Sequence, residues 1–412
     1  MKAAPTMNVG SILTVDIEKP VAGGRMLARH EGQVVLVWGA IPGERVRAEV
    51  ERVGRGVLYA HTAEVLTPSS DRRETDPDWR CGGNVYAHIA YPRQVALKVD
   101  IIRDSFGRIG RIPLPAPAVM ASPECGYRMR ARLHASGYRL GYFREGSHEL
   151  CDPAKTRQLS DATHEWIRRT EQQLRRDRLD GVASVELSEN IAGDERATHV
   201  ELHEGVDPTQ AAKLEGVSVV SDVLHGRDGD PATALRLRRT VRGFFQANRF
   251  LIEPLARTVT SLVLPGPVVD LYAGVGLFGL MLAAMGADDV TLVEGDRVSG
   301  TDLLDNAEPF PMSVRVERTS VEDFLVNGVG GHLKRTFIVD PPRTGMSKAA
   351  LAGIIANQPA RIIYVSCDVA TLARDSRTIL DAGYVLDSLQ GIDMFPNTGH
   401  VESVVAFSRS RP

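Results

Sequence analysis

From about Thr240 onward the chain alternates short apolar runs with stretches of helical pattern. The runs are Pro267-Val-Val-Asp-Leu271, Asp289-Val-Thr-Leu-Val-Glu294, Ser313-Val-Arg-Val316, Arg335-Thr-Phe-Ile-Val-Asp340, Arg361-Ile-Ile-Tyr-Val-Ser366 and Val401-Glu-Ser-Val-Val-Ala-Phe407. Short strands separated by helices pair in parallel, because a parallel neighbour needs a long crossover connection. The pattern therefore predicts an α/β fold with a doubly wound sheet, and places any ligand beyond the carboxyl ends of its strands. Most of the notable acidic, glycine and cysteine residues fall at those ends.

After the first run, Gly274-Val-Gly276 opens a helix, and Gly279 completes a Gly-x-Gly-x-x-Gly spacing. Glycines there allow a tight turn and close approach of a ligand to the backbone. Glu294 ends the next run some twenty residues on, where such folds set a carboxylate on a ribose. The two features suit a nucleoside cofactor and leave NAD and S-adenosylmethionine equally open. No Gly-Lys-Ser/Thr follows, which excludes a triphosphate-binding loop.

Asp340-Pro-Pro-Arg343 follows another run, and its double proline fixes an extended turn lacking two backbone donors. Cys367 stands at the end of Ile362-Ile-Tyr-Val-Ser-Cys367, and Glu402 at the start of the last run. A strand cysteine by itself is most often an inert small hydrophobe. At a ligand-binding edge with a carboxylate nearby, it acquires a use. Carbon 5 of a uracil is too weak a nucleophile to attack a methyl sulfonium. A thiolate added at carbon 6 makes carbon 5 carbanion-like. A base must then remove the carbon-5 proton before the thiol can leave. Cys367 is the expected nucleophile and Glu402 the expected base.

Residues 9–68 read differently. Ser11–Ile17, Gln33–Trp38, Glu44–Val50 and Val57–His61 are expected strands, punctuated by Gly23-Gly24, Pro42-Gly43 and Gly54. They suit a small five-stranded OB-like barrel of the kind that binds oligonucleotides. Residues 88–105 are expected to form a helix whose apolar face is Val95, Val99 and Ile102, followed by a linker at Pro113-Leu-Pro-Ala-Pro117. A mixed α+β segment runs from Ala121 to about Arg236. Its runs Tyr127–Leu133 and Tyr138–Arg144 interleave arginines with Tyr127, Tyr138, Tyr142 and Phe143. That is the composition of a surface that tracks phosphates and stacks bases, and equally of a solvated strand face.

The six runs Phe245-Gln-Ala-Asn248, Asp270-Leu-Tyr-Ala-Gly-Val-Gly276, Asp340-Pro-Pro-Arg343, Tyr364-Val-Ser-Cys-Asp368, Thr371-Leu-Ala-Arg-Asp375 and Asp393-Met-Phe-Pro-Asn-Thr-Gly-His-Val-Glu402 stand in the order found in the RNA uracil-5 methyltransferases, which the chain resembles over nearly its whole length. The resemblance implies a Rossmann-like class I methyltransferase sheet, an N-terminal OB-like barrel (a TRAM domain) and a central α+β domain. It implies boundaries of 1–68 for the barrel, 69–87 and 119–235 for the central RNA-binding domain, and 88–118 and 236–412 for the methyltransferase domain. It implies S-adenosylmethionine as cofactor, with Gln246, Tyr272, Gly274, Gly276, Glu294 and Asp340 around it, and Cys367 and Glu402 as the catalytic pair. The expected partner is RNA, ribosomal ahead of transfer RNA because of the TRAM-like segment.

Many relatives carry an iron–sulfur cluster on four cysteines. Here Cys81-Gly-Gly-Asn84 stands where Cys-Gly-Gly-Cys would be, Thr75 replaces the first ligand and Cys151 matches the last. Two thiolates cannot hold such a cluster, so none is expected, and Cys81 and Cys151 are expected as packed thiols. The four cysteines make neither a disulfide framework nor a zinc motif. With no signal-peptide pattern or ~20-residue apolar span, a reduced, cytoplasmic protein is expected, most simply a monomer. A net charge of -3 requires any RNA surface to be local. Two rivals remain: an RNA-binding protein that has kept the fold without activity, and a methyltransferase for a small molecule, which would need neither barrel nor basic segment.

Overall fold

The computed structural model describes residues 7–74, 79–214, 216–226, 230–326 and 335–409. At the N-terminus, five strands close into a barrel: Ile12–Pro20, Met26–His30, Gln33–Trp38, Arg45–Gly54 and Val57–Thr67. Alternation drives the closure, since Leu13, Val15 and Ile17 face inward with Val46, Ala48 and Val50 from the partner strand. Met26–His30 is the strand absent from the four expected above. It is short and ends in Arg29 and His30, so its apolar signal is weak.

The central part is a five-stranded sheet in the order Arg196–Leu202, Val182–Glu189, Arg130–Ser136, Arg139–Phe143, Leu150–Cys151, with the helix Asp161–Arg176 beside it. The arginine-bearing hairpin forms, but two of its four rings turn inward. Tyr127 and Tyr142 are buried, and Phe143 stacks on His134 with ring centroids 3.8 Å apart. Arg130 donates to the carbonyls of Val241 and Phe245, and Arg128 to the carbonyl of Arg130 and the side chain of Gln158. These guanidiniums satisfy internal carbonyls, a demand that sequence periodicity does not reveal. A separate hairpin, Val219–His225 with Ala234–Thr240, is tied to the central sheet by the buried Arg239, which donates to the Ser188 hydroxyl and the Glu189 carbonyl and pairs within the hairpin with Asp222 at 2.6 Å. Its Leu224, Leu235 and Leu237 pack into the core of the large sheet.

That sheet has eight strands in the order Val314–Glu317, Val290–Val293, Val268–Leu271, Thr336–Val339, Arg361–Ser366, Glu402–Arg409, Tyr384–Ile392, Ala118–Met120. The first five are mutually parallel; Glu402–Arg409 is antiparallel to its neighbours on both sides. Tyr384–Ile392 and Ala118–Met120 add two strands beyond the six expected. Apolar clusters cover both faces.

The helix Tyr91–Ser105 forms, with a different buried stripe from the expected one. Gln94, Leu97, Lys98, Ile101, Ile102 and Ser105 are buried, whereas Val95 and Val99 are only partly so. Two polar side chains take the core face because partners from residues 393–397 await them.

Cys81 and Cys151 form a disulfide with Cα atoms 5.8 Å apart, which corrects the expectation of packed thiols in a chain without disulfides. The loop around Cys81 lies along the strand Arg139–Phe143, with the Gly82 amide donating to the Phe143 carbonyl at 3.0 Å. Tyr142 pairs with Cys151 on the other side, so the two sulfurs meet. Thr75 lies outside the described residues. Among the described residues no helix is long and apolar enough to cross a membrane, and no group of three or more His, Cys, Asp or Glu is arranged to hold a metal.

Barrel and large sheet meet backbone to backbone. A Cβ on Gly399 would lie 2.4 Å from the Gly24 Cα and 3.0 Å from the Tyr86 hydroxyl. Gly399→Ala must push the two apart. It is expected to cost about 1–3 kcal/mol of stability, read from the midpoint of urea denaturation.

Candidate active site

Strand register brings the candidate residues together. Leu271 pairs with Val293 and with Val339, so the glycine turn, Glu294 and Asp340 all leave the sheet at one level. Arg361–Ser366 runs two residues past Val339, whose partner is Tyr364. Ser366 faces Ser403 across the antiparallel pair, so the next step outward sets Cys367 opposite Glu402. Directly opposed residues on neighbouring antiparallel strands point their side chains to the same side. The nucleophile and base expected from sequence are thus adjacent by register alone.

A cavity of about 610 Å³ opens at this edge. Gln246, Tyr272, Gly274, Glu294, Asp340, Cys367 and Glu402 all line it. Gly276 does not; it begins the helix at φ 100°, and a Cβ there would strike Leu280 and Leu303. Its role is to let the helix Leu277–Ala284 start in a conformation closed to other residues. At Gly274 (φ 58°) a Cβ would meet nothing within 4 Å, so the backbone there faces open space. The Gly274 amide donates to one oxygen of Glu294 at 2.7 Å, and the Asp296 amide to the other at 2.6 Å. These bonds fix the carboxylate while each oxygen keeps a lone pair for a ligand.

Acidic groups crowd the cavity floor. Burial pushes Glu402 up to about 8, with Arg343 opposing. Asp340 is raised by burial and then by Glu402. Burial also raises Glu294. Asp270, beneath the glycine turn, is pushed up to about 8 by burial, against the Gly279 amide that donates to it at 2.9 Å. The Cys367 thiol is pushed up to about 11 by burial and then by Glu402, with Arg343 drawing it back. His400 is held down at about 4, first by burial and then by Arg343. A partly exposed thiol and a buried carboxyl side by side could, once ionised, serve as nucleophile and proton acceptor, and a cationic ligand would ease the ionisation of both.

Several lining residues carried no expected role: Arg242, Phe244, Phe245 and Phe395, and Arg343 beyond its place in Asp340-Pro-Pro-Arg343. Arg343 had a signal, because the double proline directs the residue after it toward the sheet edge. Phe244 is 64% exposed beside the buried Phe245. Only a folded backbone separates the two.

Asp270 yields a stability prediction. A carboxyl raised on folding favours the native state below its unfolded pKa, near 4, and that advantage is lost as pH rises through about 8. Asp270→Asn keeps an acceptor for Gly279 and carries no charge. Its Tm relative to the parent should rise from pH 5 to pH 9, by about 2–4 °C per kcal/mol recovered. Differential scanning calorimetry at both pH values checks the sign; a flat difference refutes it.

Comparisons with known proteins identify the family and the fold. Residues 315–410 match the family described as tRNA (Uracil-5-)-methyltransferase, and residues 7–63 match the TRAM domain. A 23S rRNA (uracil(1939)-C(5))-methyltransferase of Halomonas elongata is 31% identical over 93% of this chain and 86% of its own length. An uncharacterized RNA methyltransferase of Bdellovibrio bacteriovorus is 30% identical over 96% of this chain and 95% of its own. The structure of a Pyrococcus abyssi tRNA (uracil-54, C5)-methyltransferase, in complex with S-adenosyl-L-homocysteine, superposes with a TM-score of 0.74 at 23% identity. That match covers 96% of this chain and 100% of the other, a likeness of fold.

Proposed function

The chain belongs to the RNA uracil-C5 methyltransferase family, and on that premise we propose that it methylates carbon 5 of a uridine in 23S ribosomal RNA, using S-adenosylmethionine, through a covalent Cys367 adduct resolved by Glu402. The observation that carries this reading is the register-set adjacency of Cys367 and Glu402 at the rim of a cavity whose other wall is the glycine turn.

The cavity suits that cofactor. Open space beside Gly274 and the fixed carboxylate of Glu294 would take its ribose, with Tyr272 and Gln246 on the walls. Asp340 would face its charged end. A dinucleotide fits less well, since its pyrophosphate would meet Glu294 and Asp340. Bound there, S-adenosylmethionine supplies an electrophilic methyl group.

The protein's own residues do the rest. Cys367 adds as the thiolate to carbon 6 of the uracil; Arg343 favours that thiolate, against the larger effects of burial and the nearby Glu402. Once carbon 5 carries the methyl group, Glu402 takes the remaining proton. The carbon–sulfur bond then breaks and the aromatic ring returns. With a pKa near 8, Glu402 is a strong base once ionised, and the nearby Arg343 favours the ionised form that must accept the proton. The base must leave its stack to enter the cavity. We propose that the barrel and the central segment hold the surrounding RNA, as the TRAM match and the ribosomal relatives support.

Cys367→Ser should abolish methylation and any covalent enzyme–RNA species, lowering turnover by at least about 10³-fold. Glu402→Gln should instead trap the methylated adduct, seen as a slow-migrating band on a denaturing gel. Nucleoside mass spectrometry of ribosomal and transfer RNA from cells lacking the protein identifies the substrate. Loss of 5-methyluridine from the 23S fraction is expected; loss from the transfer RNA fraction would transfer the same chemistry to that substrate. Normal turnover by Cys367→Ser would sink the mechanism.

A further inference from the structure

Glu402 does not stand on a free strand end. Tyr384–Ile392 and Glu402–Arg409 are antiparallel with Ile392 opposite Glu402, and residues 393–401 form the loop that joins them. The sheet closes the loop at one end. At the other it is gripped by the helix Tyr91–Ser105. Lys98 donates to Asp393, both side chains being fully buried, and also to the Phe395 carbonyl at 3.0 Å. The second Asp393 oxygen accepts from the Tyr91 hydroxyl at 2.9 Å, which in turn accepts from the Ser122 amide at 2.7 Å. Asn248 donates to the Ser122 hydroxyl at 2.9 Å and to the Met394 carbonyl at 3.2 Å. Asn248 lies two residues from Gln246, so this one network reaches both walls of the cavity: the Gln246 wall, and the wall of Phe395 and Glu402.

Stability does not explain such a pair. Removing a lysine and an aspartate from water costs several kcal/mol each, and apolar residues of similar volume often do as well or better. Lys98 also occupies the stripe of Leu97, Ile101 and Ile102, where an apolar side chain would fit the pattern. What an ion pair adds is direction: one donor and one acceptor fix the loop's register.

We propose that Lys98 and Asp393 are positioning residues for the elimination half of the reaction, holding the loop 393–401 so that Glu402 reaches the carbon-5 proton of the adduct. The inference rests on Glu402 being the base.

The test uses the full-length enzyme, total RNA from cells lacking it, and a methyl-labelled donor. Lys98→Met, Asp393→Asn and the double variant are compared with the parent in a single turnover. Each single variant leaves a buried group unpaired and should lower Tm. The double variant removes both charges and should regain most of that Tm. In the double variant one equivalent of methyl should still transfer, within about threefold of the parental rate. Its methylated adduct should resolve at least tenfold more slowly, so that label stays protein-bound as in Glu402→Gln. If adduct resolution instead recovers together with Tm in the double variant, the pair is merely structural and the proposal fails. Failure of the premise looks different: Glu402→Gln itself would release product at the parental rate.

Discussion

Strand register is the constraint on which the rest of this molecule depends. Four parallel strands leave the sheet within a few residues of one another, and the antiparallel Glu402–Arg409 enters beside the longest of them. A one-residue slip would turn every side chain of a strand to the opposite face. Cys367 and Glu402 would then part, and the buried Ile362, Tyr364, Val404 and Phe407 would reverse with them. Burial of the sheet on both faces therefore fixes the placement of Cys367 beside Glu402. The same apolar contacts that hold the fold together also align the thiol and carboxyl proposed to react.

That economy has an electrostatic consequence. Strand ends gather carboxylates, so Asp270, Asp340, Glu294 and Glu402 all have raised pKa values, with burial the largest cause in each. Arg343 is the cation that acts on both Cys367 and Glu402. A site poised in this way is short of positive charge. A sulfonium cofactor complements it, and the spent cofactor, which has lost the sulfonium charge, complements it less. The asymmetry favours binding of the methyl donor over retention of the spent cofactor.

Much of this was legible in the sequence, for a physical reason. Chemistry at strand ends is encoded locally: the glycine turn, the double proline, the cysteine after Val365-Ser366 and the glutamate of the last run each lie within a few residues of an apolar strand. Long-range complementarity is not encoded that way. Lys98 looks like a solvated helix residue because its partner Asp393 is 295 positions away. Arg128 and Arg130 look like phosphate contacts because Gln158, Val241 and Phe245, whose oxygens they satisfy, belong to other segments. The Cys81–Cys151 bond is hidden for the same reason, since a spacing of 70 residues says nothing about two loops meeting at a strand. Met26–His30 and Tyr384–Ile392 carry polar residues on their exposed positions, and their apolar signal falls below that of the central strands.

The loop 393–401 shows what the long-range contacts accomplish. Gly399 touches the barrel at Gly24, and the Asn397 carbonyl accepts from the Tyr86 amide at 2.8 Å. The Asn397 side chain accepts from Arg73, just beyond the barrel, and from Gln94 of the helix. From the central part, the Tyr127 hydroxyl donates to the Pro396 carbonyl at 3.2 Å. Barrel, central sheet and helix thus converge on the segment that ends at Glu402. A loop held by one neighbour would respond to that neighbour alone, whereas one held by three occupies its position only when all three are in place. Interfaces packed in this way have discrete arrangements rather than continuous ones. The position of Glu402, the proposed base, is thus set jointly by barrel, central part and helix.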